Sequence, residues 1–319
     1  MIEIETLNSV GNDLKRPECV LCTERGEIYA SDSRGGVTCI YPDGSQKLFA
    51  GIAPDGRILK PNGIALRSDR SFLIADLSPE IGGVFHLTRD GALRPFIERV
   101  DGVDLPPTNF VLEDIRRRVW ITISTKNIPR TLAYRQNVDD GYIVLVDEKG
   151  ARIVADQLGF ANEVAIHPNG QWLYVNETFA RRLSRFSLSD GGNLGVRETV
   201  TTFEQGTFPD GITFDVEGFA WITSIISNRV IRVAFSGEQE IIMEDSDATH
   251  LAEVEAAFQE NNMGRPHIDK TKSRRLKNIS SLAFGGPELK TAYLGSLLGE
   301  SVESFPSFVA GHPPAHWKY

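Results

Sequence analysis

The sequence predicts an all-β fold, a six-bladed β-propeller, on three observations. A pattern in which a carboxamide or carboxylate precedes an apolar alternating run recurs as Pro61-Asn62-Gly63-Ile64-Ala65-Leu66, Pro107-Thr108-Asn109-Phe110-Val111-Leu112, Ala161-Asn162-Glu163-Val164-Ala165-Ile166 and Pro209-Asp210-Gly211-Ile212-Thr213-Phe214. Each copy is followed about ten residues later by a second apolar run, such as Phe72-Leu73-Ile74-Ala75-Asp76 or Ala220-Trp221-Ile222-Thr223-Ser224. Looser copies at Glu18 and Asn278 bring the units to six, and the steps between equivalent positions are 44, 47, 53, 48 and 68 residues. A period of about 40 to 50 residues with four short strands per unit is that of a propeller blade, whereas a β-sandwich has no reason to repeat at this length.

In chain order, MIEIETLNSV is acidic and alternating, so Ile2 and Ile4 are expected in a strand that closes the ring beside the last blade. It lacks the basic-then-apolar order of a secretory leader. The first unit carries all three cysteines, Cys19, Cys22 and Cys39. No second CxxC accompanies Cys19 and Cys22, so the spacing reads as incidental, and an odd count without a leader fits a reducing cytoplasm. In the fifth unit, Val216-Glu217-Gly218 reverses the chain between two strands, leaving Asp210 at the mouth of the first.

The long last step implies an insertion at about 245–275 between blades five and six, within a single propeller domain of residues 1–319. There Ser246 or Asp247 can cap a helix that places Leu251, Val254 and Phe258 on one face, with Gly264 and Pro266 ending it. The tail, GHPPAHWKY, is expected to lie extended against the side of the barrel.

Composition narrows the function classes. A net charge of −9 is unsuited to a phosphate backbone, so nucleic acid is not expected as a partner. No run of 18 apolar residues is present, so no membrane-spanning helix is expected. The histidines are scattered through turns and tail, and no triad or zinc-protease helix can be assembled from them.

Inner strands of a propeller line its central channel, so residues just before them gather at one end. Glu18, Asn62, Asn109, Asn162 and Asp210 hold such positions. Any one of them can be a strand cap. Taken together, Glu18, Asn109, Asn162 and Asp210 offer only oxygen donors, a set suited to one hard divalent cation completed by waters. Two converging carboxylates repel each other and lose solvation, and a bound cation offsets that cost. Connections between second and third strands open at the same end. The longest, Thr125 to Gly141, brings Lys126, Arg130 and Tyr134 as a wall able to hold an anionic or polar substrate.

These residues resemble the family of senescence marker protein, gluconolactonase and luciferin-regenerating enzyme. Glu18, Asn62-Gly63-Ile64, Asn109, Asn162, Pro209-Asp210-Gly211-Ile212 and Ser280 to Gly286 carry the resemblance over nearly the whole chain. It implies a six-bladed, regucalcin-type propeller whose channel mouth holds a divalent cation, calcium before zinc, on Glu18, Asn162 and Asp210, with Asn109 touching metal or substrate. Where the family often has Glu-Gly-Pro and Asn-Gly, this chain has Glu18-Cys19-Val20 and Asn162-Glu163. Its third blade also lacks the Arg-Phe-Asn-Asp run of the sugar lactonases, and Phe110 there suits a less polar lactone or ester.

The expected function is a metal-dependent hydrolase, a lactonase in which the cation polarises the carbonyl and Asp210 serves as general base, with Asn62, Asn109, Phe110, Lys126, Arg130 and Tyr134 against the substrate. Two alternatives stand beside it. One is a phosphotriesterase-like hydrolase using the same four oxygen donors, and the other a non-catalytic ring that binds calcium or a partner. The sequence sets no oligomeric state.

Overall fold

In a computed structural model that describes residues 1–319, six four-stranded antiparallel sheets are arranged in order around a channel. Their inner strands are Val20–Cys22, Pro61–Leu66, Phe110–Glu113, Ala161–Ile166, Thr207–Phe214 and Ile279–Gly285, for blades one to six. The repeat in the sequence is therefore the repeat of the blades. Blades one to five are each continuous in sequence, while blade six takes three strands from the end of the chain and its outermost, Asn8–Val10, from the beginning. Asn8 and Val10 pair with Ser304 and Val302, which joins the first and last parts of the chain in one sheet. The ring-closing strand thus starts later than the pattern of isoleucines suggests. Ile4 lies in a 3-10 turn, Ile4–Thr6, and the Ile2 amide bonds instead to Ile242 O on the outer strand of blade five at 2.8 Å.

Turns at the far end of the inner strands are tied by a repeated polar unit. Asp215, fully buried, accepts the Glu217 and Phe219 amides on one oxygen, and the Trp221 indole at 2.9 Å and Arg232 Nε at 2.8 Å on the other. Asp114 in blade three does the same for Arg116 and Arg118 amides, Trp120 and the Arg118 side chain. Truncating the Asp215 carboxylate leaves the buried Trp221 indole N–H and Arg232 Nε without acceptors, and Arg232 with only its link to Glu217. Asp215→Ala is therefore expected to destabilise by about 3–5 kcal/mol. With an unfolding entropy of ~2.1 cal/mol/K per residue over 319 residues, the melting temperature falls roughly 5–7 °C. Asp190→Ala, which removes a surface ion pair to Arg116, is the control and should melt like wild type; equal melting of the two variants would refute the structural role of Asp215.

The tail crosses the far mouth of the channel rather than running along the barrel side. Gly311 bridges to Asp215 and the His312 amide bonds to Phe214 O, both beneath blade five, while Trp317 O accepts the Glu24 amide beneath blade one. Turn residues offer free backbone groups at that end, and the tail satisfies them.

The other mouth is covered by the insertion. Asp247 caps the helix Ala248–Gln259, its carboxylate accepting the His250 amide at 2.8 Å. Val254 and Phe258 are buried, with the Phe258 ring 5.3 Å from Phe208 and 6.0 Å from Phe179. The Glu255 carboxylate pins the helix by accepting from Arg181 and the Gly206 amide. The helix ends at Gln259, before Gly264, and Pro266 opens a second short helix, Arg265–Ile268, instead of terminating the first. Proline in a first turn lacks only an N–H that has no helical partner there, so it starts a helix as readily as it stops one.

Candidate active site

The polar residues of the channel mouth are aimed by breaks in strand register. Pairing of inner strand with its neighbour shifts between Pro61 and Ile64, Ala161 and Val164, and Pro209 and Ile212. A bulge frees a residue from the ladder and re-aims its side chain. Asn62, Asn162 and Asp210 fall in these three breaks. Gly63 and Gly211 follow two of them because the next blade passes too close for a side chain. A Cβ on Gly63 would lie 2.6 Å from Phe110 Cα, and one on Gly211 2.5 Å from Ser280 O. In blade four the equivalent residue is Glu163, whose Oε2 accepts the Ile212 amide of blade five at 3.0 Å.

Glu18, Asn62, Asn109, Asn162 and Asp210 line one cavity together with Arg16, Arg130, Tyr134, Thr178 and residues of the insertion, Arg265 and Ile268. The expected convergence at the channel mouth is therefore realised. Glu18 is held through its carbonyl, which accepts the Ser280 hydroxyl of blade six at 2.8 Å. Thr178 accepts Asn162 Nδ2 at 3.0 Å and donates to Pro209 O at 2.8 Å, linking blades four and five. Asn109 donates to Asn162 Oδ1 at 2.6 Å, and its own Oδ1 accepts Arg130 at 2.8 Å. Arg16 donates to Asn62 Oδ1 at 2.8 Å, and Asn62 Nδ2 to Asn109 O at 2.9 Å.

Two acceptors are left over: Glu18 Oε2 and Asp210 Oδ1 are buried and have no hydrogen-bond partner. Burial pushes the Glu18 carboxyl upward, against the pull of Arg16 and Arg130. Asp210 is driven well above the carboxylate range by burial and then by the charge of Glu18, with the same two arginines opposing. Glu163 is also raised, by burial first and then by Glu18 and Asp210. Three buried acids thus stand close together, with Glu18 discouraging ionisation of Asp210 and both discouraging that of Glu163.

Not every residue anticipated at the site is there. Lys126 is exposed, with its ammonium over the Tyr142 ring at 5.5 Å and its amide on Asp140, and does not line the cavity. Phe110 faces the opposite way, into a second and mostly apolar cavity of about 220 Å³ that occupies the lower channel down to His312 and His316 of the tail. It gives no reason to prefer apolar substrates at the polar mouth. Asn278, at the sixth blade entrance, is structural: it accepts the Ile226 amide and donates to Ile268 O. The cysteines are all free and buried, and no three His, Cys, Asp or Glu side chains are grouped so as to hold a metal ion without carboxamide ligands. Conversely, Arg16, Thr178 and Arg265 line the site without having been singled out, and Glu163, also not singled out, stands beside it in the wall of the lower cavity. Arg16 stands two residues before Glu18, and that proximity was the available signal.

A divalent cation fits the donor set. Two unpartnered carboxylate oxygens and the Asn162 and Asn109 carboxamides offer hard oxygen ligands without a soft donor among them. The cavity holds about 50 Å³. At ~10–15 Å³ per water this is room for an ion and a few waters, well short of the ~150 Å³ that admits benzene. A molecule the size of benzene therefore enters only when part of the wall moves; Arg265 and Ile268 of the insertion, like Arg130 and Tyr134 of the third-blade loop, lie outside the sheets.

Fold and site together define a class: a six-bladed propeller with oxygen donors from separate blades gathered at one channel mouth. Residues 16–252 match the family described as the SMP-30/Gluconolactonase/LRE-like region, and the chain belongs to that family. Over 169 residues it is 26% identical to a 6-deoxy-6-sulfogluconolactonase of Pseudomonas putida, a match covering 52% of this chain and about half, 48%, of that protein. Among solved structures it superposes on a luciferin-regenerating enzyme with a TM-score of 0.71 at 15% identity, covering 98% of this chain and 99% of the other. A calcium-binding regucalcin of Agrobacterium tumefaciens gives 0.70 at 17%, covering 98% and 97%, and a gluconolactonase of Xanthomonas campestris 0.68 at 16%, covering 94% and 88%. At these identities the structural likeness speaks for the fold alone.

Proposed function

We propose that the protein hydrolyses a small lactone at the channel mouth, with one divalent cation, calcium before zinc, held by Glu18, Asn162 and Asp210 and with Asn109 beside it. The reading is carried by the two partnerless buried carboxylate oxygens that share a cavity with the carboxamides. It is supported by membership of a family with relatives named as lactonases. When bound, the cation would supply Lewis-acid polarisation of the ring carbonyl and keep the neighbouring carboxyls ionised.

The chain's own groups do the rest. Asp210 takes the proton of the attacking water on its free oxygen, help worth roughly 10²- to 10⁴-fold. Asn109, oriented by Arg130 and Asn62, positions the substrate, and Tyr134 and Phe160 form the wall beside it. Closure of the insertion over the mouth excludes bulk water and strengthens these contacts.

The test is acid release from a panel of γ- and δ-lactones, before and after chelation and on restoring calcium or zinc. Opening of at least one lactone that stops on chelation and returns with the ion is expected. If metal-replete protein opens none, the hydrolytic reading is wrong, and stabilisation by calcium without turnover would leave a cation-binding ring in its place.

A further inference from the structure

The geometry points to a second, anion-holding half of the same mouth: Arg16 and Arg130 receive an oxyanion group, carboxylate or phosphate, carried by the substrate away from its lactone carbonyl. This rests on the lactone reading and adds the substrate class to it.

Most arginines of the chain are ion-paired, Arg182 with Glu177 and Arg232 with Asp215 for instance. Arg265, in the wall of the cavity, is matched by Asp269. Arg16 and Arg130 differ, since neither has a carboxylate oxygen within 4.0 Å. Their partners are neutral: Asn62 Oδ1 and Pro61 O for Arg16, and Asn109 Oδ1 and Ser124 Oγ for Arg130. The Arg130 guanidinium lies over the Phe160 ring at 5.0 Å, and its Nε is buried with no acceptor at all. Glu18 and Asp210 act on both charges through space but accept no hydrogen bond from either arginine, so each half-buried guanidinium keeps donors for an oxyanion, which its planar fork matches.

The ring order separates the two halves. Glu18, Asn162 and Asp210 come from blades one, four and five, whereas Arg16 and Arg130 are fixed to the entrances of blades two and three through Asn62 and Asn109. A substrate spanning the mouth would present its carbonyl to the first set and its anion to the second. A neutral lactone would leave both arginines unsatisfied when the mouth closes.

The experiment compares kcat/KM for D-glucono-1,5-lactone, its 6-phosphate and D-glucaro-1,4-lactone, in wild type, Arg16→Gln and Arg130→Gln. At least one anionic lactone should exceed the neutral one by about tenfold or more, as expected for a desolvated charge-assisted contact. The preference should shrink with added salt and approach unity in the variants; which anionic lactone is preferred separates phosphate from carboxylate. In parallel, inorganic phosphate is titrated against the chelated protein by thermal melting, where it should stabilise wild type more than either variant. Lactone turnover with no anionic preference overturns this inference and leaves the lactone reading intact. Phosphate stabilisation that depends on both arginines, without turnover of any lactone, does the reverse. Absence of both effects overturns both.

Discussion

Asp210→Asn is expected to lower kcat for lactone opening by roughly 10²- to 10⁴-fold while the protein melts within a few degrees of wild type. Asparagine keeps the shape and one oxygen donor but cannot take a proton. The fold should tolerate it because the backbone, not the carboxylate, fastens this residue: Asp210 O accepts Asn176 Nδ2 at 3.0 Å, and the neighbouring Gly211 amide donates to Thr223 at 2.9 Å. Removing one of three mutually repelling buried acids should even add stability in the metal-free protein. To divide the loss between proton transfer and cation binding, the variant is assayed across calcium concentrations. A deficit that persists at saturation belongs to proton transfer, and undiminished turnover would remove Asp210 from the chemistry.

Cation binding is expected to depend steeply on pH, and the sign follows from the buried acids. The Glu18 carboxyl is raised to about 6, from an ordinary 4.5, by burial. A folded value above the unfolded one means that the folded chain binds more protons between the two, so the metal-free protein loses stability as pH rises through this window. For Glu18 the loss is about 2 kcal/mol, complete above pH 6. The raised Asp210 extends the decline upward. Binding a divalent cation requires the same protons to leave, so its stabilising effect should be near zero at pH 4.5 and grow toward neutrality. At a hundred times its dissociation constant, an ion adds about 2.7 kcal/mol, or roughly 4 °C for a chain of this length. Melting curves with chelator, calcium and zinc from pH 4.5 to 7.5 check this, and indifference to every cation at neutral pH would dismiss the metal site.

Much of this arrangement is legible in the residues because a closed ring turns sequence period into spatial position. Once Asn62, Asn109, Asn162 and Asp210 are recognised as equivalent, their meeting at one channel mouth follows from symmetry. Segments outside the repeat have no such rule. Lys126 and Arg130 are four residues apart in one loop, yet Arg130 turns inward to Asn109 while Lys126 lies outside over Tyr142. Phe110 adjoins Asn109, but strand alternation sends its ring into the lower channel. The tail held no pattern showing that it would run from blade five to blade one beneath the channel.

By itself, then, the sequence determined the six blades, the oxygen-donor character of the mouth and the place of the insertion, since each is written in spacing and residue type. Only the tertiary structure decided that Arg16 and Arg265 stand at that mouth, that of Lys126 and Arg130 only Arg130 reaches it, that Glu163 adds a third buried acid, and that Glu18 and Asp210 each retain an oxygen without a partner. The physical reason is that burial and pairing of a charge depend on which distant segments surround it, and such contacts leave no period in the chain.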